Sequence, residues 1–125
     1  MKRIVDTALA PPPAGAYAQA VEASGTFLYI SGQTARLPDG TRLTDRSFED
    51  QARQAMENVQ ALATAAGYDL ASGCVQITTY LRDLNDRVVF DRVLAEYVGE
   101  SLPARALVQS NLVGTDLQVQ AVLVR

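Results

Sequence analysis

An arginine inside an apolar, β-like run is uncommon, and Leu102-Pro103-Ala104-Arg105-Ala106-Leu107-Val108 carries one just after a proline. Proline is accepted at the first residue of a strand but not in a central ladder. A strand is therefore expected to begin here, with Arg105 just inside it. Its guanidinium is a planar fork of donors that matches a carboxylate or phosphate and stays charged at any relevant pH. Taken alone, such an arginine is more often a surface ion-pair partner of little energetic weight. Two glutamines, Gln118 and Gln120, likewise interrupt the apolar run Leu117 to Val124 and share one face of it. Histidine is absent, which excludes Ser-His-Asp and Cys-His catalysis and any histidine-built metal site. Acid–base chemistry then falls to carboxylates, tyrosine, lysine, backbone groups or water.

The elements that position these residues follow from composition and pattern. A chain of 125 residues suits a single domain over 1–125 with one core. Apolar content of 48% with 20% charged residues is that of a soluble globular protein. The net charge of −3, with no lysine/arginine run, argues against a nucleic-acid grip. No apolar run approaches the roughly 18 residues that span a bilayer, and Met1 to Asp6 lacks the apolar region of a signal peptide. One cysteine, Cys74, cannot form an internal disulfide, so a cytoplasmic location is expected. With no Lys, Arg or His beside it in sequence, Cys74 reads as an apolar filler rather than a nucleophile.

Thr7 to Gly15, with three consecutive prolines, is a stiff loop, either a surface linker or one wall of a pocket. Tyr17–Ala23 and Thr26–Ser31 read as strands joined by Ser24-Gly25, a hairpin signal. Ser47 to Ala66 is an amphipathic helix, opened by Ser47 with Asp50 as a capping box and closed by Gly67. Cys74 to Leu81 is a strand. A second helix begins near Asn85, its expected N-cap, and runs to about Val98 with Val89, Val93 and Tyr97 on its stripe. Ala104–Ser110 and Leu117–Val124 read as a closing hairpin about Val113, which would set Arg105 opposite or diagonal to Gln120. In that register Arg105, Leu107 and Gln109 share the open face with Gln118, Gln120, Val122 and Val124. Leu117, Val119, Ala121 and Leu123 lie beneath helices. The expectation is an α+β sandwich, a single sheet of about six strands with two helices on one face. Its mixed open face suggests a homo-oligomer with pockets between subunits.

In this layout, the motifs Gly15-Ala16-Tyr17-Ala18-Gln19, Tyr29-Ile30-Ser31-Gly32-Gln33, Gln51 to Val59, Thr78 to Asp86 and Leu102 to Ala106 resemble the reactive intermediate deaminase family, Rid or YjgF. The resemblance spans nearly the whole chain. It implies a chorismate-mutase-like fold assembled as a homotrimer with clefts between subunits. It also implies cofactor- and metal-independent hydrolysis of enamine/imine intermediates such as 2-aminoacrylate to 2-oxo acids and ammonia. Arg105 matches the family's carboxylate-holding arginine, and Tyr17, Ser31 and Gly32 match positions lining the pocket across an interface. Three positions depart from archetypal members: Gln120 replaces a glutamate linked to the hydrolytic water, Leu107 a frequent cysteine, and Asp91 an asparagine found in many. Glutamine orients a water but does not take its proton at neutral pH. The alternative to catalysis is a non-catalytic protein that binds small carboxylates. An acidic chain without histidine gives little support to a chaperone or ribonuclease role.

Overall fold

A computed structural model describes residues 1–125. Six strands and three helices alternate as β1 (Lys2–Val5), β2 (Ala20–Ala23), β3 (Phe27–Gln33), α1 (Phe48–Ala65), α2 (Leu70–Gly73), β4 (Cys74–Leu81), α3 (Arg87–Val98), β5 (Ala104–Gln109) and β6 (Leu117–Val124). A 3-10 turn over Leu84–Asp86 leads into α3. The α+β class expected from the sequence holds. The hydrogen bonding differs: β1 and β2 pair antiparallel as a ribbon, and β3-β6-β4-β5 form a separate four-stranded sheet.

Neither expected hairpin forms. β2 takes β1 as its partner, and β3 takes β6. The link between them turns at Gly25, at φ +138°, where a Cβ would collide with the backbone carbonyl of Arg125. Thr26 and Arg125 exchange backbone bonds of 2.9 and 3.0 Å across this corner. Gly25→Ala should therefore cost roughly 2–4 kcal/mol in urea unfolding, from strain plus backbone overlap. A loss under about 1 kcal/mol would mean that the corner relaxes freely.

The second correction is larger. β5 pairs with β4, in parallel, and β6 lies on the other side of β4. A parallel pair needs a crossover, and α3 supplies it. Because aligned residues of parallel neighbours share a face, Arg105 beside Ile77 and Leu107 beside Thr79 turn toward the helices, not toward the open face. The expected register of Arg105 against Gln120 gives way to Thr78 opposite Gln120.

The core forms as the alternation in β6 required. Leu117, Val119, Ala121 and Leu123 are buried with Ile77 and Leu81 of β4 under α1 and α3. α1 contributes Ala52, Ala55, Met56, Val59 and Ala63, while Leu62 stays half exposed. Ser47 caps α1 by accepting from the Asp50 amide at 3.1 Å, and Gly67 follows its end at φ +82°. α3 buries Phe90, Val93, Leu94 and Val98. Its stripe is rotated from the expected Val89/Val93/Tyr97 because the 3-10 turn, capped by Asp83 rather than Asn85, resets the entry. Full burial of such a side chain is worth roughly 1.5–3 kcal/mol.

Gln51, fully buried on α1, donates to the Arg46 carbonyl and to Asp116 Oδ2 and accepts from the Asp116 amide, each at 3.0 Å. It fixes the start of β6 against α1. Cys74 is buried at the start of β4, and burial pushes its thiol from 9.0 up to about 12, against the opposing influence of Lys2. Below about pH 9 folded and unfolded chains both keep this proton. Between about 9 and 12 only the unfolded chain releases it, so stability is lost as pH rises through that window. Cys74→Ala should flatten that alkaline decline in denaturation measurements, and an equally steep decline would assign it to other groups.

Candidate active site

The residues singled out in sequence gather in two places, at opposite edges of the four-stranded sheet. The first is built on β5. Pro103 is buried, the strand starts at Ala104, and Arg105 enters the space between α3 and the chain before β2 with its side chain only 7% exposed. Asp91 of α3 meets it there: Oδ1 accepts from Arg105 Nη1, and Oδ2 accepts from the Ala16 amide at 3.4 Å. The Tyr17 ring lies 4.9 Å from the guanidinium carbon, a cation–π contact.

Tyr17 is held in turn. Its hydroxyl oxygen accepts from the Ala14 amide at 3.0 Å, and the Ala18 amide donates to the Pro103 carbonyl at 2.9 Å. Gln19 stitches the proline loop closed, accepting from the Thr7 amide at 2.7 Å and donating to the carbonyls of Thr7, Ala10 and Pro11. Of the two readings of Thr7 to Gly15, the structure favours the pocket wall. Gly15 permits the approach, since a Cβ there would overlap Asp91 Oδ2 and sit 3.0 Å from Arg105 Nη2. The resulting cleft of about 430 Å³ is lined by Ala14, Tyr17, Asp91, Arg105 and Leu107, with Leu84, Arg87 and Val88 at the α3 side.

The second place is a β-bulge. Between Ile30 opposite Ala121 and Gln33 opposite Val119, β3 has two residues, Ser31 and Gly32, where β6 has one, Gln120. Bulges of this kind re-aim side chains and leave backbone groups unpaired. Ser31 and Gln120 share a cleft of about 250 Å³ with Tyr29, Gln76, Thr78 and Val122 on the open face. Gly32 is pressed against Gln118, whose side chain fills the space of a Cβ. A third cleft, of about 420 Å³, begins at Gly32 and extends to Arg36 and Asn58.

Thus Tyr17, expected across an interface, instead meets Arg105 within one chain, together with Asp91 and Leu107, while Ser31, Gly32 and Gln120 form a separate group that does not meet them in one chain. Arg87 was not singled out in sequence. Its placement one helical turn before Asp91, on the same face, is the signal that would have found it.

A mixed sheet with two long helices on one face, a β-α-β crossover and an antiparallel edge strand is the chorismate-mutase-like fold of Rid/YjgF proteins. A Rid family protein from Yersinia pestis shares it with a TM-score of 0.87 at 21% identity, covering 99% of this chain and 98% of that one. Residues 7–123 match the family model described as Endoribonuclease L-PSP, and the chain belongs to that family, the Rid/YjgF family. It is 40% identical over 120 residues to a RutC family protein of Pyrococcus horikoshii, covering 96% of this chain and 94% of the relative. It is 32% identical over 127 residues to the human 2-iminobutanoate/2-iminopropanoate deaminase, covering 100% of this chain and 91% of that protein. No helix is long and apolar enough to cross a membrane.

Proposed function

We propose that this protein hydrolyses 2-imino acids, and the enamines that tautomerise to them, to 2-oxo acids and ammonia. The observation that carries the reading is the buried Arg105 in a cleft open to small molecules, stacked on Tyr17. The similarity to proteins named 2-iminobutanoate/2-iminopropanoate deaminase supports it. Arg105 holds the substrate carboxylate through the donors that Asp91 leaves free. Water adds to the imine carbon as a proton moves to nitrogen. The carbinolamine then collapses to the ketone and expels ammonia. An imine is already electrophilic, so anchoring and orientation supply much of what the reaction needs.

The proposed site is completed by a second copy. Arg105 lies on β5 and Ser31-Gly32 on β3, the two edges of the sheet, so a second chain can bring a bulge against an arginine cleft. Two different surfaces meeting head to tail form a ring when the rotation between copies closes, and a three-copy ring is the homotrimer that the family resemblance implies. In that ring Gln120 orients the water, Ser31 and Gly32 offer backbone donors, and Leu107 gives an apolar wall to the substrate's side chain. The proposed reaction uses no cofactor or metal, and its proposed location is the cytoplasm, the compartment expected from the single cysteine.

The test is an L-amino-acid oxidase reaction in which semicarbazide traps the released imine. Added protein should lower the trapped imine and raise the 2-oxo acid. Unchanged trapping at high protein concentration would overturn the proposal. Gln120 favours a second reading, a carboxylate-binding protein without turnover. Calorimetry would then detect 2-oxobutyrate binding that Arg105→Ala abolishes, while imine lifetime stays at background.

A further inference from the structure

The Arg105 cleft is not a simple cation site. Asp91 is the one acid among its lining residues, and its carboxylate is bonded directly to the guanidinium. It has little freedom to leave: Oδ2 accepts from the Ala16 amide, Gly15 lies against it, and its side chain is 23% exposed. Any carboxylate placed on the remaining guanidinium donors lies beside a second carboxylate, and like charges on one partner repel. A ligand with a positive nitrogen on the carbon next to its carboxylate converts that repulsion into attraction. Arg87, exposed and free of ion-pair partners, adds a positive charge at the mouth, so the cleft as a whole still draws anions.

We infer that Asp91 makes this cleft a receptor for adjacent positive and negative charges, selecting the protonated, zwitterionic form of an amino-acid-derived imine over the 2-oxo acid released from it. The inference rests on the proposed role of Arg105 as carboxylate anchor. Protonated imine is the form that water attacks most readily. Loss of the nitrogen leaves a product with a carboxylate alone, which Asp91 disfavours, so the same residue that admits substrate weakens retention of product.

Calorimetry with L-2-aminobutyrate and 2-oxobutyrate reads the effect as a ratio, because the two share carboxylate and chain length and carry an ammonium and a carbonyl, respectively, at the carbon next to the carboxylate. The ammonium of the amino acid stands in for the iminium. The wild-type protein should prefer the amino acid, and Asp91→Asn should shift the ratio of the two affinities toward the oxo acid by about tenfold or more. Asp91→Ser should shift it in the same direction, which covers a fault specific to one variant. An unchanged ratio in both variants, whether or not both affinities fall together, would overturn the inference and leave Asp91 as a structural support. Arg105→Ala should abolish binding of both ligands. Binding that survives Arg105→Ala, or that is absent for both ligands in the wild type, would overturn the anchor role itself.

Discussion

Arg105→Ala is expected to lower kcat/KM for imine hydrolysis by about 10²–10³, the largest loss of any single substitution in this chain. Removing one partner of a buried, hydrogen-bonded charge pair typically costs 2–5 kcal/mol, and each 1.4 kcal/mol is tenfold. Here the guanidinium is used twice. It anchors the substrate carboxylate in the proposed reaction and it neutralises Asp91, with its own side chain only 7% exposed. Truncation therefore leaves Asp91 without its counter-ion, and some stability should be lost with the activity. Arg105→Lys separates the two effects. It restores a positive charge but not the planar fork, so stability should recover more than turnover does. Semicarbazide trapping with a thermal melt on each variant measures both. Wild-type turnover in folded Arg105→Ala would remove this residue from the mechanism.

The second large effect runs in the opposite direction. Gln120→Glu is expected to raise imine hydrolysis by at least about tenfold, toward the 10²–10⁴ that a positioned base supplies. The position can accept a carboxylate. Gln120 is exposed on the open face of the sheet, opposite the Ser31-Gly32 bulge, so ionisation there carries little desolvation cost within one copy. The gain should appear in kcat more than in KM, because glutamine already orients the water by hydrogen bonds. An unchanged rate would mean that the reaction uses a different water arrangement. In that case Asp91, already inside the cleft, is the acid to examine.

Periodicity was enough to place the two long helices and the apolar face of β6, because both depend on local alternation between core and solvent, but it missed the short α2 and misread the buried stripe of α3. Ser47, Gly67 and Gly99 mark their helix ends through backbone requirements that operate within a few residues. Strand partners were not legible in the same way. Ser24-Gly25 has hairpin chemistry, yet β2 finds β1 and the glycine serves a corner instead. The loop around Val113 likewise suggested an antiparallel return, but β4 lies between β5 and β6. That one pairing decides which way Arg105 points. Proline followed by arginine located the strand start correctly, and side-chain alternation within β5 was read correctly. Its absolute face required knowing that the partner is β4 in parallel, which is information held by α3 and not by β5 itself. The Asp91–Arg105 pair was missed for the same reason, although both residues were singled out separately.

The parallel pairing of β5 also has a consequence for how the arginine cleft fluctuates. β4 is bonded on both sides, whereas β5 is bonded only to β4 and ends the sheet. Backbone amides of an edge strand can exchange with solvent through openings much smaller than global unfolding. Arg105 therefore rides on a segment held by one strand ladder, the Asp91 ion pair, the Tyr17 contact, the Ala18–Pro103 backbone bond and the packing of Leu107 on the core. A single chain can breathe at its arginine while its core stays closed. Burial of that edge against a neighbouring copy would quench the fluctuation, coupling the rigidity of the cleft to the concentration of the protein.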